Sequence, residues 1–475
     1  MNAGIWSLTF KVADRLINLA RVIVLARILT PNDFGLLGIA ILSLSFVQVF
    51  SRTGFGAALV QNKEDITSYL DTAWTVSIIR GSVIAVVLYL SAGYVASFFD
   101  IMEAKSVIQV IASVTLIRGF TNPGIIYFQK DLEFHKLFIY DIGRTSAVFI
   151  TSVILVLFWK SVWVLVYGVI AGEIVALILS YLLHPYRPRL RFDYQKAKQL
   201  YTFGRWIYLS SLMIFLSTQL DKGVIGKVLG SASLGLYQVG STISNTATGG
   251  LSQAISQVVF PTYSKLQLDL PRLRQAFLTT WENTACLILP LSILVFLLAD
   301  GIVQVVLGSQ WLPAATAVKI LAMAGFFTSL IRISGALLQA IGRPRLDMQL
   351  NLVQIVVAGI LIYPFTRLMG IDGAALAMLG GGLLTIPFLL RYINMYVNIP
   401  IKDFLKASMA SCILGLGVGV VSITVGFSHS ETLMGLVSVL ALNLLVYLGI
   451  SFALWWRFKS GPVRIIVTMR NDKSF

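Results

Sequence analysis

The chain has 475 residues, of which 57% are hydrophobic and only 12% charged, and its mean hydropathy is +0.83. A soluble globular domain carries about 25% charged residues, so this composition excludes a soluble protein and predicts a polytopic membrane protein. Much of the net charge of +16 lies in alternating loops, a topology pattern of membrane proteins, and no nucleic-acid partner is predicted.

The apolar segments predict an all-α polytopic membrane protein with about 14 transmembrane helices, because one span needs about 20 apolar residues. In chain order the predicted helices cover 5–29, 34–56, 73–98, 107–128, 137–159, 162–183, 203–228, 234–258, 276–299, 313–341, 348–367, 373–394, 405–426 and 433–456. The first segment is longer than the core of a signal peptide and carries polar residues, so we expect it to stay in the mature protein.

Basic residues concentrate in every second loop, which by the positive-inside rule predicts that both termini face the cytoplasm. The longest basic connector gives a cytoplasmic linker at 185–202. It separates an N-terminal lobe of six helices, 1–184, from a C-terminal lobe of six helices, 203–396. The region 397–475 then holds two extra helices and a basic cytoplasmic tail.

Charged side chains lie inside several of the predicted spans. On the first helix Lys11, Asp14, Asn18 and Arg21 follow a spacing of i, i+3, i+7 and i+10, which places them on one face. A charge at the bilayer centre costs about 2.5–3.5 kcal/mol on insertion scales, so such a face should turn towards a cavity or the bundle interior.

As a set, the embedded arginines and lysines outnumber the embedded acids, which favours an anionic ligand. Arginine suits phosphate because its planar guanidinium donates two parallel hydrogen bonds. The predicted cationic, substrate-binding cavity consists of Arg21, Arg52, Arg80, Arg118, Arg144 and Arg332. For any single residue, pairing with a neighbouring acid or snorkelling to the headgroups explains the charge equally well.

Three embedded acids, Asp14, Asp141 and Glu282, are the candidates for ion or proton coupling, since buried carboxylates shift their pKa readily. The candidate coupling ion is H⁺ or Na⁺, and no other cofactor is predicted. The cysteines, Cys286 and Cys412, are far apart, and the three histidines are isolated, so neither a disulfide framework nor a metal site is expected.

Two internal similarities indicate a repeat. At an offset of 200, residues 26–29 align with 226–229, and residues 34–36 align with 234–236. At an offset of 214, Ile117-Arg118 aligns with Ile331-Arg332. Six predicted spans separate the copies, so both have the same orientation, as in transporters whose two pseudo-symmetric lobes flank a central substrate cavity.

Three segments carry a family resemblance: ARILTPNDFGLLG at 26–38, GFGAALVQ at 54–61 and FQKDLEFHKLF at 128–138. They are similar to patterns of the multidrug/oligosaccharidyl-lipid/polysaccharide exporter (MOP) superfamily, and most like its Wzx-like polysaccharide flippases, the branch of colanic-acid and teichuronic-acid exporters. The resemblance extends over nearly the whole chain. These patterns contain no catalytic signature, so they identify the branch better than the substrate.

The resemblance implies a MATE-like fold of two lobes that alternate in access. It implies a flippase, not an enzyme, in the bacterial inner membrane that moves undecaprenyl-diphosphate-linked oligosaccharide repeat units for exopolysaccharide, O-antigen or capsule biosynthesis. The expected partners are this polyprenyl-diphosphate-linked oligosaccharide, membrane lipids, and a polysaccharide polymerase or chain-length protein.

Three alternatives stay open at the level of the sequence. A cation-coupled drug antiporter of the same superfamily should have an acid-rich binding lobe. A membrane polysaccharide polymerase or ligase usually carries catalytic residues in a sizeable outer loop, whereas the longest predicted outer loop, about 300–312, lacks a His/Asp/Glu constellation. A scaffolding membrane protein would leave the embedded charges without a role.

Overall fold

The computed structural model describes residues 2–50, 66–131, 133–429 and 432–458. Within these ranges all regular secondary structure is helical. Nine segments of the described chain are long and apolar enough to cross a membrane. The all-α polytopic fold is therefore confirmed, and the total of about 14 spans stays a prediction.

The chain divides into two compact units, residues 1–238 and 239–475. The helices that begin in the first unit are α1 Asn2–Ala26, α2 Pro31–Phe50, α3 Thr67–Phe98, α4 Ala104–Ile111, α5 Ser113–Gly119, α6 Ile126–Lys130, α7 Phe134–Val156, α8 Trp163–Leu183 and α9 Tyr194–Ala247. Those of the second unit are α10 Gly249–Leu266, α11 Leu270–Ile302, α12 Ala315–Ala340, α13 Pro344–Val397, α14 Ile401–His429 and α15 Leu433–Phe458.

Single glycines replace two of the predicted interhelical loops. The backbone of α9 breaks only at Gly230, where φ is +83°, and that of α13 only at Gly370, where φ is +63°. A positive φ is strained for a residue with a Cβ, so glycine reverses the chain within one residue here. As a result α13 contains the predicted spans 348–367 and 373–394, and α9 contains 203–228 together with the first part of 234–258, which continues in α10.

The predicted helix 107–128 is interrupted. It consists of α4 and α5, a short 3₁₀ turn at Pro123–Ile125, and then α6. The Asn122 side chain starts the turn by accepting a hydrogen bond from the Gly124 N–H at 2.9 Å. Pro123 follows Asn122 and has no N–H to continue the preceding helix, so the helix ends before it.

Two glycines of the first unit make reciprocal backbone contacts. A Cβ at Gly35 of α2 would overlap the carbonyl of Ser231, and a Cβ at Gly235 of α9 would overlap the carbonyl of Pro31. The Ser231 hydroxyl also donates a hydrogen bond to the Asn32 side chain. Gly35 and Gly235 align at the 200-residue offset, as do Pro31 and Ser231, so the two contacts are equivalent within the predicted repeat.

In the second unit, α14 packs against α11 through an aromatic cluster. The rings of Trp281 and Phe404 meet edge to face with centroids 4.9 Å apart, and Trp281 Nε1 donates to Ser408 Oγ at 3.0 Å. Helix α15 joins α14 through a buried hydrogen bond from Ser422 Oγ to Asn443 Oδ1 at 3.2 Å. The two C-terminal helices are thus part of the packed second unit.

We expect Gly35→Ala and Gly235→Ala to lower the thermal stability of the purified protein, because each added methyl group meets backbone that cannot move aside. Overpacking of this kind typically costs about 1–3 kcal/mol. Gly93→Ala in α3 is the matched control, since a Cβ there has no neighbour within 4 Å. A helical Gly→Ala change without a clash is stabilising by up to about 1 kcal/mol. Equal melting temperatures for all three variants would contradict the packing described.

Candidate functional site

A buried carboxylate lies between two arginines in the first unit. Arg118 Nη2 of α5 is 2.6 Å from Glu173 Oε1 of α8, and Arg144 Nη1 of α7 is 3.7 Å from the same oxygen. The Glu173 side chain is 9% exposed, whereas those of Arg118 and Arg144 are 42% and 39% exposed. The buried Glu173 carboxylate therefore pairs with two guanidiniums that are each partly accessible.

Small residues bring α7 and α8 close enough for this arrangement. A Cβ at Gly168 would overlap the Ser152 hydroxyl, and a Cβ at Gly172 would lie 3.1 Å from the Arg144 carbonyl. Glycines four residues apart let two membrane helices approach at backbone distance. Glu173 follows Gly172 directly, so the close approach of the two helices places its carboxylate near Arg144.

The polar face of α1 contributes further charges. Thr145 Oγ1 of α7 donates to Asp14 Oδ1 at 2.6 Å, and Asn18 Nδ2 donates to the Asp14 carbonyl at 2.9 Å. Asp14 also acts electrostatically on Arg21 and on Asp141. The predicted polar face therefore turns towards α7, at least at Asp14.

We name these residues the α1/α5/α7/α8 charge cluster. It comprises Arg21, Arg118, Arg144, Asp14, Asp141 and Glu173. In their ordinary ionisation states its cations and carboxylates balance. The cationic surplus that the spans predict is thus not concentrated in this cluster. Glu173 was not among the predicted site residues, because sequence spacing does not reveal which neighbouring helix an isolated glutamate faces.

The other predicted site residues lie elsewhere. Arg80 is half-buried in α3, next to Gly81, where a Cβ would be 2.5 Å from the Thr115 carbonyl. Arg332 of α12 donates to the Gly249 carbonyl at 3.2 Å, where α10 begins. Glu282 of α11 lies near Cys286, on a helix that packs against α14. Arg332 and Glu282 belong to the second unit, and Arg52 lies outside the described residues.

A second concave region, the linker groove, lies where α8 ends. It has a volume of about 400 Å³ and is lined by Thr67, Tyr127, Asp131, His184, Pro185 and Tyr186. The rings of Tyr127 and His184 stack with centroids 5.5 Å apart. Burial, reinforced by nearby Lys136, lowers the pKa of the His184 imidazole. His184 Nδ1 accepts the Tyr186 N–H at 3.2 Å, which places the proton of the neutral ring on Nε2.

The segment after His184 runs along α3 in an extended form. Asp71 Oδ1 accepts hydrogen bonds from the Tyr186 hydroxyl at 2.7 Å and from the Arg189 N–H at 2.8 Å. Thr75 Oγ1 accepts the Arg191 N–H at 3.1 Å. The helix resumes at Tyr194, so the non-helical linker is shorter than the predicted 185–202.

Comparisons with known proteins agree on the class of this molecule. The model of the polysaccharide biosynthesis protein family matches residues 24–316. The chain is 24% identical to the lipopolysaccharide biosynthesis protein WzxC of Escherichia coli (strain K12), over 86% of this chain and 82% of that protein.

Two solved structures share the fold. The lipid II flippase MurJ in an inward closed conformation superposes with a TM-score of 0.75 at 17% identity, over 94% of this chain and 98% of that one. An inward-facing multidrug resistance MATE family transporter of the MOP superfamily superposes with a TM-score of 0.65 at 15% identity, over 83% and 98%. The expected MATE-like fold is thereby confirmed.

We expect Asp71→Ala to speed tryptic cleavage after Arg189 or Arg191 several-fold, because the linker loses two hydrogen bonds to α3. The cleavage rate is followed by gel electrophoresis and mass spectrometry of the intact protein in detergent. Asp131→Ala is the matched control, since Asp131 is exposed and lines the same groove without holding the linker. Equal cleavage rates in the two variants would show that Asp71 does not hold the segment.

Proposed function

Because the chain belongs to the polysaccharide biosynthesis protein family, we propose that it flips undecaprenyl-diphosphate-linked oligosaccharide repeat units across the bacterial inner membrane. The similarity to the lipid II flippase MurJ supports transport rather than catalysis, and the similarity to WzxC supports a place in polysaccharide biosynthesis. Access alternates between two lobes in this proposal. A polysaccharide polymerase or chain-length protein is the proposed recipient of the product.

The observation that carries the proposal is the pair Arg118 and Arg144. Both guanidiniums lie inside a helical bundle, both retain accessible surface, and both point to one anion. A diphosphate presents oxygens that match the guanidinium donors in geometry and charge. The basic loops support an orientation with both termini in the cytoplasm, which would load substrate from the side where lipid-linked sugars are assembled.

Ion coupling is the second part of the proposal. Asp14 and Asp141 lie in the α1–α7 seam, beside the arginines that would bind phosphate. A proton or Na⁺ taken up by either carboxylate offsets part of the negative charge that the substrate brings. Glu282, the third predicted coupling residue, lies in the second unit and acts separately from this seam.

We expect the double variant Arg118→Ala, Arg144→Ala to lose at least about tenfold in export of the lipid-linked repeat unit, because two charge-assisted contacts to phosphate disappear. Export is measured by complementation in a strain that lacks the gene, with the protein level checked by immunoblot. Arg118→Lys, Arg144→Lys should recover part of the activity, since the charge stays and the bidentate geometry is lost.

Arg367→Ala is the matched control, because Arg367 stacks on Tyr363 with its guanidinium carbon 5.5 Å from the ring centroid, in the second unit. Full export by the double alanine variant at normal protein level would exclude the cluster as the phosphate site. Efflux of cationic dyes with no export of lipid-linked sugar would instead identify a drug antiporter of the same fold.

We expect the double variant Asp14→Asn, Asp141→Asn to abolish the dependence of flipping on a proton or Na⁺ gradient. A neutral amide takes up no proton and carries no negative charge that would bind Na⁺. The readout is flipping of a fluorescent undecaprenyl-diphosphate lipid in proteoliposomes with and without an imposed gradient. Glu282→Gln tests the remaining candidate in the same assay. A gradient response that survives in the double variant but disappears in Glu282→Gln would move coupling to the second unit.

A further inference from the structure

The Glu173 carboxylate occupies the position that a bound phosphate would take. Its Oε1 atom lies 2.6 Å from Arg118 and 3.7 Å from Arg144, and these guanidiniums are the phosphate ligands of the proposed function. Carboxylate and phosphate oxygens use the same N–H donors, so both anions compete for them. We propose that Glu173 is an internal competitor that holds the two arginines in the empty transporter and gives them up to the substrate phosphate.

The need for such an anion follows from the location. Two guanidiniums at membrane depth without a counter-charge cost several kcal/mol by insertion scales. Glu173 removes that cost while the site is empty. When a diphosphate arrives, Glu173 becomes an excess negative charge beside it, and the repulsion weakens binding. The same repulsion speeds release once the site faces the opposite leaflet.

The exposure of the three side chains fits an exchange rather than a fixed structural pair. Glu173 approaches the arginines from the α8 side and is 9% exposed, while each arginine has about two fifths of its side chain accessible. An incoming phosphate can therefore reach both guanidiniums without first displacing a helix. Only the Glu173 side chain has to turn away.

This inference rests on the proposed function, and its test separates affinity from turnover. Undecaprenyl diphosphate is titrated into the purified full-length protein in detergent to obtain Kd, and flipping is measured in proteoliposomes. We expect Glu173→Gln to lower Kd about five- to tenfold, because a neutral amide no longer competes for the guanidiniums. Its flipping rate should fall, because release of the tightly held lipid becomes slow.

A purely structural role predicts the opposite binding result. If Glu173 only held the three helices together, its loss would loosen the site and raise Kd, with a lower melting temperature. Glu133→Gln is the matched control, since Glu133 pairs with Lys136 at 2.8 Å in the segment before α7. The control should leave Kd unchanged.

Glu173→Asp keeps the negative charge and shortens its reach, so its Kd should lie between those of the wild type and Glu173→Gln. It serves as the test variant if the glutamine protein does not fold. A Kd equal to or above the wild-type value in the folded variant would overturn the role of Glu173. Loss of lipid binding in Arg118→Ala, Arg144→Ala together with that result would leave the proposed function intact. Undiminished binding in the double alanine variant would exclude the cluster as the phosphate site, whereas absence of flipping by the wild-type protein would refute the proposed function itself.

Discussion

A single carboxylate shared by two guanidiniums connects three helices of the first unit. A lone charge at the bilayer centre costs about 2.5–3.5 kcal/mol on insertion scales, and the cost falls when opposite charges meet. Arg118, Arg144 and Glu173 come from three different helices, and both guanidiniums lie near the Oε1 atom of Glu173. A rotation of α8 by one residue would move Glu173 about 100° around the helix axis. The ion pairs of the empty site therefore require one rotational register of α5, α7 and α8 against one another.

In the proposed function, the same cluster would link anion binding to cation uptake. Its cations and carboxylates balance when the site is empty, so an arriving diphosphate creates an excess of negative charge. Asp14 and Asp141 are the nearest carboxylates in the α1–α7 seam, and each can take up a proton or a cation. The balance of charge within the cluster is thus a physical reason for coupling, independent of the similarity to known transporters.

Sequence periodicity predicted the elements of the first unit better than their contacts. The spacing of Asp14, Asn18 and Arg21 correctly gave one polar face of α1, because a helix has a fixed period. The 200-residue offset anticipated related segments at Gly35 and Gly235, although not that the two glycines touch the partner backbone. Glu173 was not predicted as a site residue, because its partners Arg144 and Arg118 lie 29 and 55 residues earlier in the chain. Such cross-helix neighbours are set by packing rather than by spacing.

The two arginines that align at the 214-residue offset have different hydrogen-bond partners. Arg118 meets a carboxylate from α8, whereas its counterpart Arg332 donates to the Gly249 carbonyl, beside the break between α9 and α10. A carbonyl carries no ionisable proton and is fixed in the backbone, while a glutamate side chain can turn away or become protonated. We propose the exchangeable anion for the first unit alone. Arg332 donates to the backbone at the start of α10, and a backbone carbonyl cannot be displaced by phosphate in the way that a side-chain carboxylate can.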